Sequence, residues 1–369
     1  MSKTLILGPF KDMSGYASLA REYIKALLSV DDKGEYCLAS VRYDSGRKTE
    51  LEPELAKAHK NNISEDVDTV VQIVTPNEMR PIPGKRNIAV CCWETDKIPF
   101  YWSITLNAFD EIIVPCEHNK TAFEKSGVTK PIHVIGMPVF PNQYLLEDVE
   151  PLMIPEINEE TTVYYNIAQW THKKGIDAAI RAYFLAFQKD ENVMLLLKGY
   201  VGMKSQAGDA QKVVGAINDI KAAMRLQKYP RVYVTDQTMT DEQLKQLHKL
   251  GDCYINMSRG EGWGIPPFEA LIYGNDLITV HHTGMAEWAN PEYCWVVDSM
   301  LDSVHNMPHS DKFLYTANEN WYEPNVLSGA EAFKTHHANA KKNNEEGRLL
   351  MCAKFDPKKL GKRFKEIIG

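Results

Sequence analysis

Residues 261–270 read Glu-Gly-Trp-Gly-Ile-Pro-Pro-Phe-Glu-Ala, and an apolar run that ends at Gly274 follows them. The two glycines let the backbone approach a ligand closely. A proline suits the first helical turn, where a missing N–H costs nothing. The pattern therefore predicts a strand, a tight loop and a helix whose first amides and dipole bind an anion such as phosphate. Glu261 precedes that site and Glu269 lies inside the helix, so the two carboxylates can contact opposite ends of one extended ligand.

The surrounding sequence resembles glycosyltransferases of the family-4 type, which have the GT-B fold. The resemblance rests on the Glu-x7-Glu element of residues 261–269, on Ser258 before it and on Gly284-x-x-Glu287 after it. It implies an α/β protein of the GT-B class. Such a protein has two Rossmann-like domains that face a central cleft, and a C-terminal helix that crosses back to the first domain.

The length of the chain agrees with a two-domain organisation, since 369 residues exceed the usual size of one domain. We expect a Rossmann-like domain that binds the acceptor over residues 1–145 and a linker over 146–160. A Rossmann-like domain that binds a nucleotide sugar follows over 161–350, and the terminal helix that returns to the first domain occupies 351–369. Residues 299–330 are expected to be irregular.

Composition indicates an ordinary soluble globular protein, with 44% hydrophobic and 25% charged residues and no apolar run as long as a membrane span. The seven cysteines form no Cys-x-x-Cys pair, so we expect reduced thiols and a cytoplasmic location, in a host cytoplasm if a phage encodes the chain. The net charge of −7 does not favour nonspecific binding to nucleic acid or to an anionic membrane. An integral membrane association is therefore not expected.

Two stretches of the first domain supply candidate site residues. The resemblance places the glycine-containing loop before the first helix at the mouth of the cleft, facing donor and acceptor, and Gly15 in that loop is a candidate donor contact. Glu94 and Asp96 follow a predicted strand, and ligands of parallel sheets bind beyond the carboxyl ends of strands. We expect one of these two carboxylates to contact the acceptor or the transferred sugar and to act in catalysis. The alternative for Asp96 is a helix N-cap.

The second domain supplies the remaining donor contacts by resemblance. Lys174 matches the family lysine that holds the donor diphosphate, whereas Gln169 stands near the position of a family arginine. Arg259 is the nearest candidate to replace that arginine, and Lys173 is another. The first amides of the helix, at Gly264 and Ile265, complete the expected diphosphate site. Two further contacts follow from the resemblance, one from Glu269 to the ribose and one from the loop with Thr238 to the base.

The implied reaction is the transfer of a sugar, with retention at the anomeric carbon, from a nucleoside diphosphate donor of the UDP-sugar type to a hydroxyl acceptor. Glu261 would bind sugar hydroxyls near the reacting centre. Fixed dipoles and cations would stabilise the leaving diphosphate, so we expect neither a metal nor another cofactor. The adjacent His281 and His282 are not expected to bind a metal, because neighbouring residues on a strand point to opposite faces.

Three alternatives remain open. The chain can be another GT-B enzyme, an epimerase or a phosphorylase. It can also be a nucleotide-sugar binder without turnover, since the arginine expected near Gln169 is absent. The third is an enzyme that glycosylates hydroxymethylated DNA bases, as some tailed-phage glycosyltransferases do, which would require a flipped base. The sequence leaves the acceptor (glycan, small molecule or modified DNA), the sugar, the base and the oligomeric state undetermined.

Overall fold

We analysed a computed structural model, which describes residues 3–41, 48–59, 66–189, 191–202, 206, 208–308, 313–316, 318–339 and 344–369. The chain forms two compact units. The first comprises Met1–Phe140, Phe313–Glu319 and Cys352–Gly369. The second comprises Pro141–Lys312 and Asn320–Met351.

The first unit is built on a six-stranded parallel sheet. Its strands are β1 (Thr4–Gly8), β2 (Tyr36–Ser40), β3 (Thr69–Ile73), β4 (Arg86–Val90), β5 (Glu111–Val114) and β6 (Ile132–Val134). They pair in the order β2-β1-β3-β4-β5-β6. The inner strands are almost wholly buried, as expected of a parallel sheet covered on both faces. The first four helices of the chain belong to this unit: α1 (Gly15–Val30), α2 (Pro53–Ala58), α3 (Phe100–Leu106) and α4 (Glu117–Lys125).

The second unit contains another six-stranded parallel sheet. Its strands are β7 (Thr162–Trp170), β8 (Val193–Val201), β9 (Arg231–Thr235), β10 (Cys253–Asn256), β11 (Asp276–Val280) and β12 (Trp295–Val297). They pair in the order β12-β11-β10-β7-β8-β9, which is the strand order of a Rossmann fold. The chain winds away from β7 in both directions, so the switch point of the sheet lies between β7 and β10.

Helices and a small second sheet complete this unit. The helices are α5 (Ile176–Ala186), α6 (Asp209–Met224), α7 (Asp241–Leu250), α8 (Ile265–Ile272) and α9 (Val326–Asn339). The start of α7 carries the predicted capping box, in which Thr240 and Gln243 satisfy each other's backbone amides. Residues 299–330, expected to be irregular, instead contain an antiparallel pair of strands, β13 (Ser299–Ser303) and β14 (Asn320–Pro324). The short segment Phe313–Glu319 between them belongs to the first unit.

The chain ends with α10 (Glu345–Lys354) and α11 (Pro357–Ile368). Helix α11 lies in the first unit and packs on α1, which confirms the predicted return of the terminal helix. The ring of Phe364 stacks on Tyr23 at a centroid distance of 5.3 Å, and both side chains are fully buried. Gly361 brings the two helices close together, because a Cβ at this position would lie 2.2 Å from the carbonyl oxygen of Ala26.

The described part of the chain contains no helix that is both long and apolar enough to cross a membrane.

We expect the Phe364→Ala substitution to lower the free energy of unfolding by about 3–5 kcal/mol, because it leaves a cavity between α11 and α1. Lys362→Ala, an exposed change in the same helix, is the control and should alter stability by about 0.5 kcal/mol or less. Equilibrium urea unfolding of both variants measures the difference. Equal stabilities would show that α11 contributes little to the first unit.

Candidate active site

A cavity in the second unit opens at the switch point of the sheet. Residues that line it come from the ends of β7 and β10, from the loop before α5 and from the first turn of α8: Asn166, Ile167, Ala168, Lys174, Tyr254, Asn256, Glu261, Pro266 and Pro267. In open α/β sheets, ligands bind at this position, beyond the carboxyl ends of the strands. The cavity measures about 10 Å³, room for roughly one water molecule. A larger ligand must therefore move the side chains that line it.

The loop before α8 adopts a conformation that its glycines make possible. Gly264 is the N-cap residue, with φ at 83° and ψ at 60°, a left-handed conformation that L side chains rarely adopt. Gly284 packs directly against this loop, since a Cβ there would lie 2.5–2.6 Å from backbone atoms of Gly262 and Trp263. The two prolines occupy the first turn of α8, as the sequence predicts, and carry no N–H. The amides at the helix start that can face an anion are therefore those of Gly264 and Ile265.

Lys174 and Glu261, which both line this cavity, form an ion pair. The Lys174 Nζ atom lies 2.6 Å from Glu261 Oε1, and the two side chains are 23% and 13% exposed. The backbone of Glu261 is fixed on both sides: its amide donates to Thr283 Oγ1 at 3.1 Å, and its carbonyl accepts from the Gly284 amide at 2.8 Å. The structure thus joins two residues that are 87 positions apart and that the sequence assigned to the donor and to the transferred sugar.

Glu269 lies one turn into α8, on the accessible side of the helix. Its helical neighbours on that side are Ile265 and Pro266, whereas Pro267, Phe268 and the three residues after Glu269 are buried. Since Pro266 lines the switch-point cavity, the Glu269 carboxylate lies on the same helix face as the cavity wall. The role predicted for Glu269 beside a nucleotide stays a prediction.

The guanidinium of Arg259 is buried, and its donors are used within the unit. The side chain is 2% exposed and pairs with both oxygens of Asp177, at 3.1 and 3.2 Å, and with Glu323 Oε1 at 2.7 Å. It also donates to the carbonyl oxygen of His172. Burial opposes ionisation of Asp177, yet its hydrogen bonds to Arg259 hold the pKa of that carboxyl below its ordinary value. In this arrangement, Arg259 cannot replace the missing arginine as a diphosphate ligand.

Gln169, which stands near the position of the family arginine, and Thr238, a predicted donor contact, lie close to strand ends. Gln169, near the end of β7, donates from its side-chain amide to the carbonyl oxygen of Gly202. Thr238 is exposed and follows β9, the edge strand of the sheet. Strand β9 is two strands away from β7, next to which the cavity lies. Thr238 therefore lies outside the lining of the switch-point cavity.

Three of the predicted residues belong to the first unit. Glu94 accepts a short hydrogen bond from the hydroxyl of Tyr315, and the Tyr315 ring stacks on Trp93 at a centroid distance of 5.2 Å. Asp96 is half-buried and does not cap a helix, because α3 begins at Phe100 with Pro99 as its N-cap residue. The helix-cap alternative for Asp96 is therefore wrong.

Gly15, the third of these residues, is the first residue of α1 and is exposed. The Ser14 side chain caps the helix by accepting from the Ala17 amide at 3.3 Å. The hydroxyl of Tyr16 bonds to both the amide and the carbonyl of Cys92, at 3.1 and 3.0 Å. The start of α1 is thereby fixed beside the segment that leads to Glu94.

His118 is a residue near Glu94 and Asp96 that the sequence did not single out. It lies in the first turn of α4, and its Nε2 atom is 3.2 Å from the carbonyl oxygen of Thr95. Burial lowers the pKa of His118, although the Thr95 carbonyl and the two nearby carboxylates oppose that shift. The sequence did contain a signal for this residue. His118 follows the turn between β5 and α4, and the carboxyl ends of parallel strands are where ligands bind.

The two adjacent histidines after β11 point in different directions, as expected. His281 is exposed and lies 2.8 Å from the carbonyl oxygen of Ala289. His282 is buried and stacks on Tyr322 at a centroid distance of 4.6 Å. Next to it, Thr283 has a positive φ of 51° and accepts from the Glu261 amide. The pair therefore supports the shape of the Glu261 loop.

A larger cavity of about 420 Å³ lies in the first unit, lined by Leu7, Val41, Gln72, Val74, Glu78, Arg80 and Ile82. None of the predicted site residues lines it. The smaller cavity, where Lys174, Glu261 and the first turn of α8 meet, is therefore the one of these two that predicted site residues line.

Comparison with known proteins bears on the second unit and on the fold. Residues 153–303, most of the second unit, match the family described as glycosyl transferases, group 1. No curated protein sequence matches the chain. The matched segment identifies this part of the chain as a glycosyltransferase domain.

Several solved structures share the fold over the whole chain. HepE from Anabaena, solved with UDP and glucose, is 13% identical with a TM-score of 0.63, over 100% of this chain and 99% of that one. Sucrose-phosphate synthase from Thermosynechococcus elongatus is 11% identical with a TM-score of 0.66, over 100% and 98%. A structure from E. coli, described as trehalose-6-phosphate bound with UDP-2-fluoro glucose, is 10% identical with a TM-score of 0.64, over 100% and 99%. The two sheets thus form the two Rossmann-like domains of the GT-B fold.

We expect Arg259→Met to destabilise the protein at pH 7 by about 3 kcal/mol, because it leaves the Asp177 and Glu323 carboxylates without their buried cation. Both carboxylates are about a third exposed, which keeps the effect at the low end of the range for buried pairs. Urea unfolding measures it, with the exposed Arg181→Met in α5 as the control.

The same pair of proteins gives a pH test. The pKa of Asp177 is lowered in the folded state, so its stabilising contribution is present above the ordinary value of 3.8 and is lost as the pH falls through the lowered value. Arg259→Met lacks this contribution. The difference in free energy of unfolding between the wild type and Arg259→Met should therefore become smaller as the pH is lowered from 7 to about 3. A gap that stays constant or widens over this range would contradict the assignment.

Proposed function

We propose that this glycosyltransferase transfers a sugar from a nucleoside diphosphate donor of the UDP-glucose class to a hydroxyl acceptor, with retention at the anomeric carbon and without a metal in the reaction. The observation that carries the proposal is the meeting of Lys174, Glu261 and the first amides of α8 at the switch point of a Rossmann-type sheet. The UDP and glucose in HepE and the UDP-2-fluoro glucose in the E. coli structure support the donor class.

The start of α8 is suited to the donor diphosphate. The Gly264 and Ile265 amides and the positive end of the helix dipole attract negative charge. Lys174 adds a full positive charge beside them. When the sugar leaves, the bonding electron pair departs with the diphosphate, whose growing negative charge these groups stabilise.

The two glutamates have different tasks in this arrangement. Glu269, on the accessible face of α8, accepts hydrogen bonds from the ribose hydroxyls and so fixes the nucleoside. Glu261, held by backbone bonds to Thr283 and Gly284, contacts hydroxyls of the transferred sugar. A carboxylate near the anomeric carbon also stabilises the positive charge that develops there as the glycosidic bond breaks.

The Lys174–Glu261 pair links donor binding to the state of the site. At 2.6 Å, the Lys174 ammonium neutralises Glu261, and both side chains line the small cavity. A bound diphosphate offers Lys174 a more highly charged partner, and the sugar hydroxyls offer Glu261 new donors. Binding of the donor therefore replaces one internal ion pair with two contacts to the ligand. Because Glu261 already neutralises Lys174 in the empty site, that site attracts unrelated anions less strongly.

The contacts of Glu94 make it the stronger of the two catalytic candidates in the first unit. The Tyr315 hydroxyl donates to its carboxylate and the Trp93–Tyr315 stack holds that donor in place. A fixed carboxylate can orient a hydroxyl of the acceptor or of the transferred sugar.

A thermal-shift screen of nucleotide sugars identifies the donor, since a ligand that binds only the folded state raises the Tm. Turnover of the selected donor with an acceptor panel, followed by NMR of the anomeric proton, determines whether configuration is retained. The same assay in excess chelator, below the Tm of the chelated protein, tests the metal-free reaction. Donor binding with no transfer or hydrolysis across the panel would favour a binding protein, and inversion would exclude the proposed stereochemistry.

We expect Glu269→Ala to weaken UDP binding about 10-fold to 100-fold, because a hydrogen bond to a charged group contributes about 1.5–3 kcal/mol. Calorimetric titration with UDP measures it. Glu331→Ala, an exposed change in α9, is the control and should leave UDP affinity unchanged. Wild-type affinity in Glu269→Ala would remove this residue from the donor site.

We expect Glu261→Gln to lower kcat about 100-fold or more while UDP affinity changes little, because its carboxylate acts on the reacting sugar. Lys174→Ala should weaken UDP binding and also lower kcat, since its charge faces the diphosphate in the ground and transition states. Steady-state kinetics combined with UDP titration separate these effects. Unchanged kcat in Glu261→Gln would contradict the assignment.

A further inference from the structure

A second group of candidate ligands lies in the second unit, apart from the donor contacts described above. It consists of His172, His305 and Glu323, and one ligand atom from each lies within 4.8 Å of the others. His172 begins the 3-10 turn His172–Lys174, His305 follows β13, and Glu323 lies in β14. All three are half-buried, so an ion can reach them from solvent.

The imidazoles of His172 and His305 face each other through their Nε2 atoms. His172 Nε2 and His305 Nε2 are 3.1 Å apart. Two imidazole ligands on one tetrahedral zinc ion, each about 2.05 Å from the metal, are separated by about 3.4 Å. A shift of a few tenths of an ångström brings the two nitrogens to that separation, and the Glu323 carboxylate lies within 4.8 Å of them.

The surroundings orient both rings. The fully buried Trp321 packs against each of them, at centroid distances of 5.6 Å from His172 and 5.6 Å from His305. His305 Nδ1 lies 3.0 Å from the carbonyl oxygen of Ser303, and donation to that oxygen leaves Nε2 with its lone pair. A histidine ligand of a metal commonly donates its other ring nitrogen to a carbonyl in this way.

The local charge also suits a cation. Arg259 carries +1, and its partners Asp177 and Glu323 carry −1 each, so the buried network sums to −1. The carboxylate of Asp302 adds a further negative charge 3.8 Å from His305 Nδ1. A divalent ion beside Glu323 would thus lie next to a network whose net charge is negative.

We propose that His172, His305 and Glu323 bind a divalent transition-metal ion of the zinc class. Two imidazoles and one carboxylate match the ligand preference of zinc, and a water molecule completes a tetrahedron. The ion joins the turn that precedes Lys174 to β14 and to the segment after β13. Its role is to stabilise the folded second unit, and the proposed sugar transfer does not depend on it.

The test is metal binding by the full-length protein, without a histidine tag and after removal of metals by a chelator. Zn²⁺ is titrated by calorimetry and by thermal shift, and Co²⁺ is used as the spectroscopic probe of coordination geometry. We expect one ion per chain, a rise in Tm of about 5 °C or more at a Zn²⁺ concentration 100 times the Kd, and a tetrahedral Co²⁺ spectrum. No turnover is needed, so failure of the proposed function would leave the result intact.

Variants locate the ion. His305→Gln keeps a polar side chain but removes an imidazole ligand, and it should weaken zinc binding about 10-fold or more. His172→Ala should do the same, whereas the exposed His337→Ala in α9 is the matched control and should bind like the wild type. Glu323 is left unchanged because it also pairs with the buried Arg259. Failure of the wild type to bind Zn²⁺ or Co²⁺, or equal binding by His305→Gln, would overturn the proposal.

Discussion

The second unit depends on one buried cation. The Arg259 guanidinium connects the turn at His172, the first turn of α5 through Asp177, and β14 through Glu323. A guanidinium that is 2% exposed is tolerated only where carboxylates and carbonyls satisfy its donors, because removing a charge from water costs several kcal/mol. The loop that carries Lys174 on one side and the loop that carries Glu261 on the other are therefore held by the same side chain. The geometry of the proposed donor site follows from this constraint.

Much of the fold was predictable from local patterns. The strand, loop and helix around Gly264 and the alternation of strands with helices each appear in the sequence as short-range signals. The apolar runs at 162–168 and 276–280 correspond to β7 and β11 because buried parallel strands need such runs. The sequence did not predict the β13–β14 pair. Its two strands are separated by 16 residues, and β13 is too exposed to show the apolar run of a buried strand.

The candidate site was predictable in its residues but not in their partners. Lys174 and Glu261 were both identified, yet their ion pair joins positions 87 residues apart and has no local signal. Arg259 illustrates the opposite case. Its position beside Glu261 suggested a cation that binds a ligand. In the structure its partners are Asp177 and Glu323, which lie 82 and 64 residues away in sequence, and the side chain is buried. Tyr315, which holds Glu94 although 221 residues separate them, was likewise beyond any local pattern.

The packing of α11 on α1 affects the order in which the chain can fold during synthesis. Most of the first unit has been translated when Phe140 is added, but the helix that covers Tyr23 ends one residue before Gly369. The intervening 229 residues take about 10–45 s at 5–20 residues per second. Throughout that interval, the surface of α1 that receives Phe364 and Gly361 has no covering helix. Every segment of the second unit is therefore synthesised before the helix that completes the first unit, although most of the first unit comes earlier in the sequence.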